Sequence, residues 1–261
     1  MTDAVWMSPI AFSIGFIDIR WYSLAYIMGF LIAFAIAKYH YFPKHKLSID
    51  YLDPFFSSVI IGVILGGRLG HVVFYDIHRY IADPVEVLRV WHGGMSFHGA
   101  LVGVMVAIFY MNYRYRINIW LMSDFVCLTA PIGIFFGRVA NFINGELVGR
   151  VTDVPWAIVF PHVDMLPRHP SQIYEAIFEG LLLGIILQFI SYRNPPKGVI
   201  TALFFMIYGG MRFTLQFFRV AENPYGLMLF NLDMGQWLSI IMLCAGVILL
   251  TLNLRQHKNN S

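Results

Sequence analysis

Apolar stretches of about 20 residues, each long enough to cross a hydrocarbon core as a helix, recur along this chain of 261 residues. They run near Ile19–Tyr39, Pro54–Tyr75, Phe97–Tyr115, Ile119–Ile143, Ser171–Tyr192, Val199–Phe218 and Leu232–Leu254. Inside a bilayer no water is present to satisfy a bare peptide group, so such stretches must close their hydrogen bonds internally. The fold class predicted is therefore an all-α polytopic membrane protein with about seven transmembrane helices. Composition agrees, since only 13% of residues are charged against about 25% in soluble domains. The net charge of +3 is spread out with no basic block, which argues against nucleic acid as a partner.

Charge also sets the expected orientation. Alternate connections are basic and nearly free of acid: Lys38, Lys44 and Lys46, then Arg114 and Arg116, then Arg193 and Lys197, then Arg255 and Lys258. The opposite set mixes signs, with Arg79 and Arg89 among Asp76, Asp83 and Glu86, and Arg150 and Arg168 among Glu146, Asp153 and Asp164. The positive-inside rule places the N-terminus outside and the C-terminus in the cytoplasm. No linker or repeat divides the chain, so residues 1–261 read as one membrane-embedded domain. The outer connection 145–170, with Pro155, Trp156, Phe160, Pro161 and Pro167, reads as a small cap. Asp3 stands where a signal peptide would carry basic residues, so the first apolar helix is expected to anchor the chain. Cys127 and Cys244 lie in apolar runs without metal-type spacing and read as buried free thiols.

Charge inside a span costs about 2.5–3.5 kcal/mol on insertion scales and needs a reason. Arg68, Arg138, Glu175, Glu179 and Arg212 all lie in spans. Arg20 and Asp124 are close enough to span ends to reach the interface. Arg138 and Asn141, three residues apart, share a helical face at the outer end of the fourth span, with Asn144 and Glu146 beside them. Tyr208, Arg212, Gln216 and Arg219 form one stripe on the sixth span. Such a stripe faces protein or a wet cavity rather than lipid. Converging arginines suit a bound anion, because the guanidinium fork matches phosphate oxygens, and the abundant phosphates of a bilayer belong to lipid head groups. The plainer alternative is an ion pair between helices, such as Arg138 with Glu146. His98 can carry a proton near neutrality, and the glycines around it, including Gly99, let a ligand approach the backbone. Gly66-Gly67-Arg68-Leu69-Gly70 suggests close helix packing. The remaining histidines have no metal-ligand spacing, and no metal or cofactor is implied.

The run Gly137-Arg138-Val139-Ala140-Asn141-Phe142-Ile143-Asn144-Gly145-Glu146, continuing to Gly149, resembles the signature of the prolipoprotein diacylglyceryl transferase family. Further matches are Arg20-Trp21-Tyr22, Gly66-Gly67-Arg68, Gly93 to Gly99, Arg168 to Glu175 and Tyr208 to Arg219, in the expected order over nearly the whole chain. The resemblance implies seven helices with a periplasmic cap, in the bacterial inner membrane. It implies transfer of the diacylglyceryl group of phosphatidylglycerol to the lipobox cysteine thiol of a prolipoprotein signal peptide, releasing glycerol phosphate. Carried onto this sequence, it implies catalytic roles for Tyr22, His98, Arg138 and Arg212. Asn141, Glu146, Gly149, Tyr208, Arg219 and Gly99 would bind substrate. Three departures stand out. Gln216 replaces an expected acid that could partner Arg212 or Arg219, Ala100 replaces a glycine, and the cap is short.

On that reading the peptide supplies the thiol, so neither cysteine of this chain need react. His98 is the candidate to take the thiol proton. Arg138 and Arg212 would stabilise charge on the departing phosphate, Asn141 and Tyr22 would orient the head group, and Glu146 would fix an arginine. Two other classes also place arginines in a membrane: an anion transporter, against which the lack of internal repeats speaks, and a lipid-binding subunit without turnover. A phosphatidyltransferase would need an acidic metal motif that the chain lacks.

Overall fold

The computed structural model describes residues 8–15, 17–74, 77–89, 94–220 and 232–260. All the predicted spans fall on helices, labelled here α1 (Trp21–Lys44), α2 (Leu52–Phe74), α3 (Phe97–Tyr115), α4 (Ile119–Asn144), α5 (Ser171–Tyr192), α6 (Val199–Leu215) and α7 (Met234–Asn260). Among the described residues 6 helices are long and apolar enough to cross a membrane, and the chain is a multi-pass membrane protein. The exception is α3, whose 19 residues include Asn112 and Arg114. The predicted first span began too early. Ile17–Arg20 is a strand, paired antiparallel with Ile10–Ile14, and the helix starts at Trp21.

The described chain falls into two compact units, residues 34–123 and residues 1–33 with 124–261. In the first of these, α2 and α3 pack through glycines. A side chain on Gly66 or Gly70 would strike the backbone of Gly103 or Gly99, at 3.1 and 2.8 Å, so only hydrogen permits the approach. The close packing read from Gly66 to Gly70 is therefore present. Arg68, on the same helix, is 3% exposed. It donates to the carbonyls of Val87 at 2.9 Å, Arg89 at 3.1 Å and Gly94 at 3.3 Å, and to that of Glu86. Its guanidinium also lies 5.1 Å from the centre of the Tyr80 ring.

In the other unit, small residues again set helix spacing. Gly29 of α1 meets Gly133 of α4, and Gly209 of α6 packs on the backbone of Ser239 and Leu243 in α7. Gly180 of α5 lies against Phe135 of α4, where a Cβ would come within 2.7 Å of the Phe135 Cα. That contact is one helical turn from Arg138. Asp124 does not reach for the interface as the sequence suggested. It is 5% exposed and accepts hydrogen bonds from the Gly198 N–H at 2.6 Å, the Thr201 N–H at 2.8 Å and the Thr201 hydroxyl at 2.7 Å. Gly198, the residue just before α6, has no side chain to cap the helix, so Asp124 of α4 supplies the cap. Cys127 is buried as expected, whereas Cys244 is exposed on the apolar surface of α7.

Beyond α4 the chain turns at Gly145, whose φ of +68° favours glycine. The segment to Pro170 carries a two-stranded ladder, Ile158–Val159 with Pro167–Arg168, and buries Phe160 completely. Arg168 binds both carboxylate oxygens of Asp164, through Nε at 3.1 Å and through Nη2, and donates to the Gly149 carbonyl at 3.0 Å. The hydrogen-bonded Arg168 holds the Asp164 carboxyl below the usual carboxylate range.

Candidate functional site

Three arginines meet on one glutamate. Glu175 stands at the end of the first turns of α5 and is 1% exposed. Arg138 of α4 reaches its Oε2 with Nε at 2.9 Å, Arg219 reaches Oε1 at 3.2 Å, and Arg212 of α6 also donates to Oε1. Glu179 lies below on α5 and is 0% exposed. Its oxygens stand 3.5 Å from Arg212 and 3.9 Å from Arg138, and neither has a hydrogen-bond partner among the described residues. The helix is wound as a π-helix over Ala176–Leu182, a local form common at functional sites. The side chains of Arg138 and Arg212 keep 19% and 17% exposure and are the outward part of the cluster, whereas the two carboxylates are buried.

Two of the guanidiniums, those of Arg138 and Arg219, have a local reason for their position. Gly180 lets α5 lie against Phe135, which brings Glu175 and Glu179 under Arg138. α6 ends at Leu215, so Arg219 leaves the predicted helical stripe. A 3-10 turn over Gln216–Phe218 is followed by extended chain, where Arg219 bridges antiparallel to Gly149. That bridge demands glycine, because a Cβ at Gly149 would fall 2.9 Å from the Phe218 carbonyl and 2.7 Å from the His169 Cβ. Gly149 therefore acts by close backbone packing that sets Arg219.

Two partners differ from the sequence reading. Among the described residues Arg138 pairs with Glu175 and Glu179, not with Glu146. Glu146 instead accepts from the amides of Asn141 at 3.0 Å and Asn144 at 3.2 Å, while the Asn141 carbonyl oxygen accepts from Arg138 at 3.4 Å. The left-handed turn at Gly145 causes this, folding Glu146 back over the end of its own helix, where the Glu146 N–H meets the Asn141 carbonyl at 2.9 Å. Glu146 thus orients the asparagine that touches the arginine. Gln216 is buried and donates to Asp233 at 2.7 Å, and Asp233 accepts from the Gln236 N–H at the start of α7. An acid at position 216 is not needed to hold Arg212 and Arg219, because Glu175 does so.

Tyr208 stacks on Phe204 with ring centres 5.4 Å apart, one turn before Arg212. The Tyr22 hydroxyl accepts from Tyr26 at 3.2 Å, and the Arg138 charge acts on Tyr26. Gly99 belongs to the other unit, where its Cα faces Gly66 and Gly70 and its N–H is capped by Ser96 at 3.2 Å. The backbone of His98 opens α3, but its side chain lies outside the described residues. Glu175 and Glu179 escaped the candidate set although both were visible as charges within an apolar span. The sequence could not say that one carboxylate gathers three arginines from separate elements.

A profile of the family described as prolipoprotein diacylglyceryl transferase matches residues 9–252. This chain belongs to the prolipoprotein diacylglyceryl transferase family. The phosphatidylglycerol–prolipoprotein diacylglyceryl transferase of Wolbachia pipientis is 46% identical to it, over 93% of this chain and 94% of the relative. Those of Nitrosomonas europaea and Aeromonas salmonicida are 43% and 41% identical, covering 93% and 95% of this chain and 88% and 92% of theirs. Three guanidiniums against two carboxylates leave one positive charge when both acids are ionised, in surroundings where an anion meets little competition from water.

Proposed function

We propose that this transferase moves the diacylglyceryl group of phosphatidylglycerol onto the lipobox cysteine thiol of a prolipoprotein, forming a thioether and releasing glycerol phosphate. The observation that carries this reading is the convergence of Arg138, Arg212 and Arg219 on Glu175 within a membrane-spanning bundle. Buried ion pairs are poor stabilisers compared with apolar packing, so a cluster of them calls for another purpose. A carboxylate and a phosphate present similar pairs of oxygens to a guanidinium. A lipid phosphate can therefore share or replace Glu175 as partner without leaving any arginine bare.

The thiolate would attack the glycerol carbon that bears the phosphate. The C–O bond breaks, and its electron pair stays on the phosphate oxygen. Arg138 and Arg212, the two guanidiniums with outward exposure, meet that growing charge, a role worth several kcal/mol where water is excluded, by order of magnitude. Arg219 is more deeply buried and holds Glu175 in place. Asn141 and Tyr22 orient the head group, Glu146 orients Asn141, and Tyr208 and Gly149 shape the same site. His98 and Gly99 complete the set drawn from the sequence.

The same reading takes residues 1–261 as one catalytic domain of the bacterial inner membrane, with the N-terminus and the 145–170 cap periplasmic and the C-terminus cytoplasmic. The basic connections support it, and it puts the arginine cluster at the outer end of α4, nearest the cap. Purified protein in detergent, given phosphatidylglycerol and a short lipobox peptide, should release glycerol phosphate and add a diacylglyceryl mass to the peptide. A peptide with alanine in place of its cysteine should give neither. Lipid binding without release under the same conditions would replace the enzyme with a lipid-binding subunit.

A further inference from the structure

Glu175 and Glu179 are neighbours on one helix and equally buried, yet they are held very differently. Glu175 is clamped by three arginines. Glu179 is paired more loosely, with Arg212 at 3.5 Å and Arg138 at 3.9 Å and no well-aligned hydrogen bond to either oxygen among the described residues, although it is 0% exposed. A buried carboxylate without well-aligned hydrogen bonds is costly and needs a reason. We propose that Glu179 is the group that takes the proton of the substrate thiol, the role that the sequence suggested for His98.

The assignment rests on the transferase reading and deepens it. The groups that face Glu179 are Arg138 from α4, Arg212 and Tyr208 from α6, and Glu175 from its own helix. Arg138 and Arg212 are the same guanidiniums that the lipid phosphate engages. As the phosphate draws their charge, the two guanidiniums offset less of the Glu179 charge, and a buried carboxylate that loses counter-charge holds a proton more readily. Binding of the lipid thus prepares the base. The thiol S–H then gives its proton to Glu179, and the thiolate attacks the glycerol carbon. The C–O electron pair leaves with the phosphate, and Glu179 passes its proton to the departing glycerol phosphate, which carries a group titrating near neutrality. Glu175, clamped by three cations, is a poor acceptor and stays a structural anchor.

The test uses the whole protein with phosphatidylglycerol and two peptides, one with cysteine and one with selenocysteine, whose selenol ionises at neutral pH unaided. Glu179→Gln keeps the shape of the side chain and should still fold and bind phosphatidylglycerol. Turnover of the cysteine peptide should fall by at least about 10²-fold, within the range general-base catalysis supplies. The selenocysteine peptide should recover the rate to within about 10-fold of wild type, because little need for a base is left. The acid limb of the wild-type pH–rate profile should vanish in Glu179→Gln and persist in His98→Gln. Glu179→Asp, which keeps a carboxylate one methylene shorter, should hold part of the activity if the Gln variant proves unstable. Near wild-type turnover by Glu179→Gln, or a folded, lipid-binding variant that the selenol does not rescue, overturns the proposal. Absence of glycerol phosphate from the wild type would instead sink the transferase reading, and this assignment with it.

Discussion

The protein buries arginine in two ways. Arg68, in the unit of residues 34–123, gives its guanidinium to the backbone carbonyls of Glu86, Val87, Arg89 and Gly94. Arg138 and Arg212, in the other unit, give theirs to side-chain carboxylates. Backbone carbonyls belong to the fold and cannot be exchanged for a ligand. Carboxylates are anions like phosphate, and a guanidinium can pass from one to the other. Arg68 is 3% exposed, while the Arg138 and Arg212 side chains keep 19% and 17%; Arg219, also on Glu175, is 4% exposed and belongs to the anchored part of the cluster. An arginine in a span is therefore no sign of a site by itself. Its partners decide whether it ties loops together or waits for a substrate.

The sharpest way to separate the two is the same conservative change in each. Arg212→Lys keeps the charge and loses the fork, so it cannot serve Glu175 and a phosphate together. Its turnover should drop by at least about 10²-fold, the scale of removing one donor from a charge-stabilising site, with the thermal midpoint in detergent little changed. Wild-type turnover in that variant would break the comparison on the functional side. Arg68→Lys should do the reverse. A lysine cannot reach the carbonyls of Glu86, Val87, Arg89 and Gly94 together, and each buried acceptor left without a donor costs about 1–3 kcal/mol. The thermal midpoint should fall, while turnover per folded molecule should fall far less than in Arg212→Lys, since Arg68 gives its guanidinium to backbone carbonyls. Loss of turnover with an unchanged midpoint would move Arg68 into the chemistry.

The helices were the most legible part, because a run of about 20 apolar residues is a strong signal whatever packs around it. The N-terminal hairpin was hidden because its second strand, Ile17–Arg20, runs into the apolar span read as starting near Ile19. Within the site, Arg138, Asn141 and Arg212 stood out as polar groups on apolar helices, and they do converge. What could not be read was who holds whom. Glu146 is eight residues from Arg138 in sequence and looked like its natural partner, but the turn at Gly145 gives it to the asparagines. Glu175 takes the arginines from a span lying 37 residues further along the chain from Arg138 and the same distance before Arg212. Asp124 likewise caps a helix 74 residues away, across a separation that no local pattern encodes. Pairing by contact in space is a property of the packed bundle, and only its unusual charges are visible beforehand.

The comparison reaches a smaller effect outside the membrane-spanning helices, where Asp164 and Arg168 form a side-chain pair within the 145–170 segment proposed as a cap. Here water competes for both charges, so the pair should tune the cap rather than hold it. Asp164→Asn should speed hydrogen exchange at the Thr152 and His169 amides, which join the two sides of the cap through the carbonyls of Pro167 and Arg150. The sign of the pH dependence follows from the lowered Asp164 value. A carboxylate held below its unfolded value of about 3.9 contributes fully above that pH and loses its contribution as pH falls through the folded value. Wild type and Asp164→Asn should therefore differ at pH near 6 and converge on strong acidification, and added salt should narrow the gap at neutral pH. A gap that survives acid would show that Asp164 holds the cap by shape, through its bond to the Leu166 N–H, rather than by charge. The cap would then follow the Arg68 pattern, in which fixed backbone groups do the holding, instead of the exchangeable pairing of Arg138 and Arg212.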